Sequence, residues 1–267
     1  MVLAQPESRL QARDLCLGYG AQAVLEGVDL DVLEGELTVI LGPNACGKST
    51  LLKALSRVLI PQGGQVLLDQ ELMQSLKSKD IARVLAMLPQ TPDIPAGATV
   101  ADIVARGRYP HQGFLKTWSA QDQEICTQAM ASAQVLDLAE RSIEELSGGQ
   151  RQRVWIAMTL AQQTPLVLLD EPTTYLDITH QIEVLNLTRE LYRQGSTVVV
   201  VLHDLNLAFR YATHVVLMRS GKILAQGDPR QIVTESLIKE VYGLDSLVIE
   251  DPCSGTPLVI PTFSQGA

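Results

Sequence analysis

Residues 42–50, Gly42-Pro43-Asn44-Ala45-Cys46-Gly47-Lys48-Ser49-Thr50, follow the pattern G-x-x-x-x-G-K-S. Glycines at both ends of a short turn let backbone N–H groups converge, and a helix opening behind the turn adds positive potential. Together they cradle phosphates. At this spacing Lys48 reaches β- and γ-phosphates, and Ser49 offers its hydroxyl to Mg²⁺. Further along, the apolar run 166–169 ends in two carboxylates, Asp170 and Glu171. Asp170 at a strand end can hold Mg²⁺ through water. Glu171, one residue on, faces another way, where it can polarise a water aimed at a γ-phosphate. His203 follows the run 198–202 in the same manner. An imidazole there can hydrogen-bond a γ-phosphate and orient the water. The plainer readings are a glycine turn with an exposed lysine, strand-end acids facing solvent, and a histidine capping a helix.

Ser147, Gly148, Gly149 and Gln150 open a helix that continues through Arg151, Val154, Ile156 and Leu160. Two glycines at a helix start make a second anion-binding surface. One nucleotide bound by one chain has no need of two such surfaces. A site shared between two chains uses both.

The elements that must carry these residues are legible as pattern. Short strands are expected at 10–16, 24–33 and 36–41, the last feeding the phosphate turn. Leu51, Leu52, Leu55 and Leu59 have helical spacing after it. Uninterrupted apolar runs at 166–169 and 197–202 read as central strands covered on both faces. The stretch between them, 178–193, reads as an amphipathic helix. Residues 206–211 read as helix and 215–218 as strand. This alternation predicts an α/β fold with a largely parallel sheet. Residues 91–162 change character: 100–106 and 120–136 are helical, with Ser119 or Asp122 as the cap of the second, and 107–118 read as an exposed loop. Two short helices (229–235 and 236–242) and a small hairpin close the chain, with no evident chemistry.

The 267 residues are 46% apolar and suffice for one large domain or one with an inserted lobe. A net charge of -9 argues against a nucleic-acid partner. The four cysteines are widely spaced, which points to free thiols in a reducing compartment. With 4 histidines, none paired at ligand spacing, a zinc site is not expected. No basic-then-apolar leader and no membrane-spanning run are read from the sequence.

In this order and spacing the motifs resemble the ATP-binding subunit of ABC transporters, over roughly residues 9–245. The resemblance implies a P-loop core at 1–90 and 163–245 with an N-terminal antiparallel β subdomain, a helical lobe at 91–162 and a short tail at 246–267. It implies ATP and Mg²⁺ as cofactors, with residues 42–50, Ser147, Gly148, Gly149 and Gln150 on the nucleotide. Tyr19 becomes the base-stacking aromatic and Gln90 the glutamine that senses nucleotide, ligates Mg²⁺ with Ser49 and Asp170, and touches the membrane partner. Glu171, His203 and Lys48 become catalytic. Asp177, in the loop Tyr175-Leu176-Asp177, speaks across a dimer. The family commonly has glycine where this chain has Ala45; no loss of activity is expected from it. Two copies would pack head to tail on two ATP molecules. They would lie on the cytoplasmic face of a bacterial membrane and drive a permease docked near Gln90 and the helical lobe, itself served by a substrate-binding protein. The stretch 107–112 and the run 171–178, with Tyr175, resemble the iron-siderophore importer branch. Haem, cobalamin and other metal-chelate importers are the alternatives, and a soluble ABC ATPase a more distant one.

Overall fold

The apolar runs form strands in which every residue is buried: Leu37–Leu41, Leu166–Asp170 and Thr197–Val201. Parallel strands covered on both faces require this composition, because no face is left for polar side chains. The computed structural model describes residues 8–20, 22–92, 96–113, 118–174 and 176–262. In chain order its elements are β1 (Ser8–Tyr19), β2 (Gln22–Leu33), β3 (Leu37–Leu41), α1 (Lys48–Leu55), β4 (Gly63–Leu68), β5 (Glu71–Leu72), α2 (Ser78–Val84) and β6 (Leu85–Leu88). There follow α3 (Val100–Ala105), α4 (Ala120–Ser132), α5 (Gly148–Gln162), β7 (Leu166–Asp170), α6 (Ile178–Arg193), β8 (Thr197–Val201) and α7 (Leu205–Tyr211). The chain closes with β9 (His214–Arg219), β10 (Lys222–Gly227), α8 (Pro229–Ile232), α9 (Glu235–Tyr242), β11 (Ser246–Glu250) and β12 (Pro257–Pro261).

These elements gather into two compact units. The first comprises Met1–Ser75 with Thr197–Ala267, the second Leu76–Ser196. In the first, β2, β1, β4 and β5 make an antiparallel sheet in that order. There too β3 runs parallel to both β8 and β9, and β10 pairs antiparallel with β9. In the second, β6 and β7 are parallel partners, from Leu85 with Leu166 to Leu88 with Leu169. Helices α3 and α4 pack on α5. The fold is therefore α/β with a mostly parallel sheet, an N-terminal antiparallel sheet and an inserted helical region. Among the described residues no helix is long and apolar enough to cross a membrane.

The segment after α3 departs from the expected exposed loop. Residues Arg106–His111 form a 3₁₀ helix, and Gly107 and Arg108 are buried. A side chain at Gly107 would lie 2.3 Å from the Met158 carbonyl oxygen, so only glycine lets this segment approach α5. The Arg108 guanidinium pairs with Asp122 at 3.0 Å and donates to the Ala161 carbonyl at 2.8 Å. A charged residue is tolerated inside because its charge is paired and its donors are used. Asp122 in turn completes a capping box with Ser119 at the start of α4. That helix ends at Ser132, short of the expected 136.

Candidate functional site

In the first unit, β3 delivers the chain into the phosphate turn and α1 leaves it. The N-cap of α1 is Gly47 with φ +106°, a conformation closed to residues with a side chain. A Cβ there would also press on the Leu25 side chain at 2.8 Å. Glycine has no side chain to occupy the first-turn N–H groups, which leaves them for an anion. Lys48 is 4% exposed. Its ammonium donates to the carbonyls of Gly42 at 2.9 Å and Pro43 at 3.0 Å, which ties its charge to the turn rather than to solvent.

Elements from the far end of the chain brace this turn. The Cys46 carbonyl accepts from the Gly221 N–H at 3.0 Å, in the β9–β10 turn, and the Gly221 carbonyl accepts from Glu26 N–H at 3.2 Å. Gly42 lies so close to the Met218 carbonyl that a Cβ would fall 2.2 Å from it. Burial pushes up the phenol of Tyr242, the last residue of α9, against the pull of the Gly42 backbone. Helix α9, within the chain's last forty residues, thus packs a side chain beside the turn. Burial likewise pushes the Cys46 thiol up, against the pull of Lys48. A thiol kept protonated is a poor nucleophile.

Ala45 has φ +61°. This left-handed conformation is one that glycine adopts without steric cost and alanine does not. Ala45→Gly is expected to raise the stability of the nucleotide-free chain by roughly 0.5–1 kcal/mol and leave turnover near the parental rate. Thermal melts beside ATPase assays check this, and a lowered melting temperature would show that the strain is relieved elsewhere.

Tyr19 ends β1 and is 54% exposed. His203 follows β8 and is exposed; the capping of α7 is done by Asp204, which accepts from Leu207 N–H at 2.8 Å.

The second unit holds the other predicted residues. Asp170 ends β7 fully buried. Glu171 turns the chain with φ +52°, so its side chain leaves the strand's alternation. Gln90, beyond β6, donates its amide to the Glu171 carboxylate at 2.5 Å, and the Thr174 hydroxyl donates to the same oxygen at 3.2 Å. Two expected site residues 81 positions apart are thus in contact, and Thr174 joins them unforeseen. Gln90, Gly148, Trp155 and Glu171 line one groove of about 260 Å³.

Ser147 caps α5: its hydroxyl accepts from Gln150 N–H at 3.2 Å, and its own N–H donates to the Gln150 side chain at 3.0 Å. This capping box uses Gln150's carbonyl oxygen internally. Gly148 is exposed, and a Cβ there would meet no described atom within 4 Å. Gly149 is buried, with the His180 ring across it. Asp177 caps α6 by accepting from His180 N–H at 3.0 Å. Tyr175 lies outside the described residues. Sequence reasoning missed His180, whose only signal is its place three residues after the cap of α6.

The family model described as ABC transporter matches residues 25–174. The ferric enterobactin transport ATP-binding protein FepC of Escherichia coli (strain K12) is 50% identical over 97% of this chain and 96% of its own length. The hemin import ATP-binding protein HmuV of Nocardia farcinica (strain IFM 10152) is 43% identical over 97% of this chain and 91% of its own. Among solved structures, an inward-facing putative metal-chelate type ABC transporter matches with a TM-score of 0.81 and 28% identity, covering 96% of this chain and 98% of that one. A dimeric bacterial ABC transporter cassette matches with a TM-score of 0.73 and 26% identity, covering 81% and 97%.

Proposed function

The chain belongs to the ABC transporter family and is an ATP-binding cassette ATPase, and from that premise we propose that it powers import of a ferric siderophore through a bacterial membrane permease. Two copies work head to tail on the cytoplasmic face. The phosphate turn of one faces Ser147, Gly148 and Gly149 of the other, with ATP between. The observation that carries this reading is the outward presentation of Gly148 at the start of a fifteen-residue helix. A helix start that presents its N–H groups to solvent suits an anion brought by a second copy.

In this mechanism the α1 N–H groups and Lys48 hold the β- and γ-phosphates, and Tyr19 stacks on the base. Glu171 orients the attacking water and takes its proton, and His203 bonds the γ-phosphate. The Gln90 amide fixes the Glu171 carboxylate, so the base is already oriented before water arrives. Asp177 reaches toward the opposite copy. The hydroxyl of Ser49, the amide oxygen of Gln90 and the buried carboxylate of Asp170 are the hard oxygen donors that suit Mg²⁺. When bound, Mg²⁺ would neutralise charge on the β- and γ-oxygens. The permease docks beside Gln90 and the helical lobe, and a substrate-binding protein serves it from the other side.

The cargo reading is supported by the likeness to FepC. Haem import is the second reading, supported by the likeness to HmuV. Co-purified with its permease in proteoliposomes, the chain should hydrolyse ATP faster when a binding protein loaded with ferric siderophore is added. Stimulation by haem-loaded protein alone would transfer the assignment to haem, and recovery of the chain from membranes with no permease would remove it from import. Gly148→Asp should leave ATP binding to single copies intact and reduce turnover at least about tenfold, through a like-charge clash with phosphate. Parental turnover in that variant would sink the shared site.

A further inference from the structure

We propose that His180 is a positioning residue that locks the start of α5 to the start of α6, so that the glycines at 148–149 and the loop ending at Asp177 meet the opposite copy as one piece. The proposal rests on the shared-site reading above. His180 is bound at two places. Its backbone N–H is held by Asp177, the cap of α6. Its ring lies across Gly149, where a Cβ would fall 2.9 Å from Cδ2 and 3.1 Å from Cγ. Ring nitrogen Nδ1 is 3.0 Å from Glu183 Oε2. The same carboxylate oxygen accepts from Arg153 Nη1 at 2.6 Å.

The spacing makes the arrangement a clamp. Glu183 is three residues after His180 on α6, and Arg153 four residues after Gly149 on α5, so each pair shares a helix face. The ring therefore cannot leave Gly149 without breaking its bond to a carboxylate that is itself fixed to α5. The close approach also gives Gly149 a reason that phosphate binding alone does not supply: any side chain there would displace the imidazole. His180 acts through Gly149 and Asp177, and its effect belongs to assembly of the shared site rather than to nucleotide binding by one copy.

The test uses the full chain in a Glu171→Gln background, with ATP-driven dimer formation followed by light scattering against protein concentration. His180→Ala should raise the concentration for half-maximal dimer about tenfold, the scale of one charge-assisted hydrogen bond. Binding of a fluorescent ATP analogue to single copies should be unchanged. His180→Asn, whose side-chain amide can take the place of Nδ1, should recover most of the loss. Dimerisation of His180→Ala at the parental concentration overturns the proposal, as does an Asn variant no better than Ala. Lost analogue binding or a collapsed melt in both variants would show a general folding role and also overturn it. If Glu171→Gln alone forms no ATP-driven dimer, the shared-site reading falls together with the proposal; if it does, only the role of His180 is at stake.

Discussion

Replacement of Glu171 by Gln is expected to lower ATP turnover by about two to three orders of magnitude while nucleotide binding persists. The amide matches the carboxylate in size, so the turn at 171 and its neighbours have no steric reason to move. It cannot take a proton from water, and its oxygen is a weaker acceptor than a carboxylate. Gln90 and Thr174 both donate to one Glu171 oxygen in the structure, and an amide at 171 would present a weaker acceptor, or a donor, to them. With hydrolysis stopped and binding intact, ATP should accumulate in a closed pair of chains. Single-turnover hydrolysis and size-exclusion chromatography with ATP measure the two effects separately. A variant that hydrolyses ATP at the parental rate would assign the base elsewhere.

The second large effect is on stability. Arg108→Ala should destabilise the chain by about 3–5 kcal/mol, because it strands the Asp122 carboxylate in the interior. Arg108→Met combined with Asp122→Asn should be much milder, since it removes both charges at nearly the same volume and keeps an oxygen for the cap of α4. Denaturant unfolding of the parent and both variants distinguishes these outcomes, and equal losses would mean that packing rather than charge holds the segment. The same pair sets a pH dependence. The Ser119 hydroxyl and then the Arg108 guanidinium hold the Asp122 carboxyl down to about 2. Its folded value lies below its unfolded one, so this stabilisation is present above the ordinary carboxylate range. It is lost as pH falls toward about 2. The doubly substituted chain should lack that portion of the acid transition.

What could be read from the chain without coordinates follows from how local each signal is. The buried strands were legible because being covered on both faces demands an unbroken apolar run, as at 37–41 and 166–169. Helix α6 was legible to its end residues because its apolar face repeats from 178 to 193. The phosphate turn was legible because its glycines, lysine and serine are contiguous. The helix over Arg106–His111 was not. Its burial depends on Asp122, 14 positions on, and on the carbonyl of Ala161, 53 positions on. The boundary between α2 and β6 has no local mark, since α2 ends at Val84 and β6 begins at Leu85 with no glycine or proline between them. Strand β10 went unread because it alternates between exposed and half-buried residues at a sheet edge and its apolar run is only three residues long. The contacts of Gln90 with Glu171 and of Tyr242 with Gly42 join distant positions, and no local pattern announces them. The functions of Gln90 and Asp177 came from family resemblance alone.

Helix α5 has a mechanical consequence. It spans Gly148–Gln162 with neither proline nor an interior glycine after residue 149, so nothing along it invites a kink. It is about 22 Å long at 1.5 Å per residue. Glu183, through Arg153, and the His180 ring grip its first turns. Arg108 grips the Ala161 carbonyl, His111 meets the Gln162 carbonyl, and the Gln162 side chain reaches back to Ala82. A rod held at both ends transmits displacement instead of absorbing it. A push on the 106–111 segment should therefore reach the glycines at 148–149 with little attenuation, and pulling those glycines toward ATP should move the segment in return.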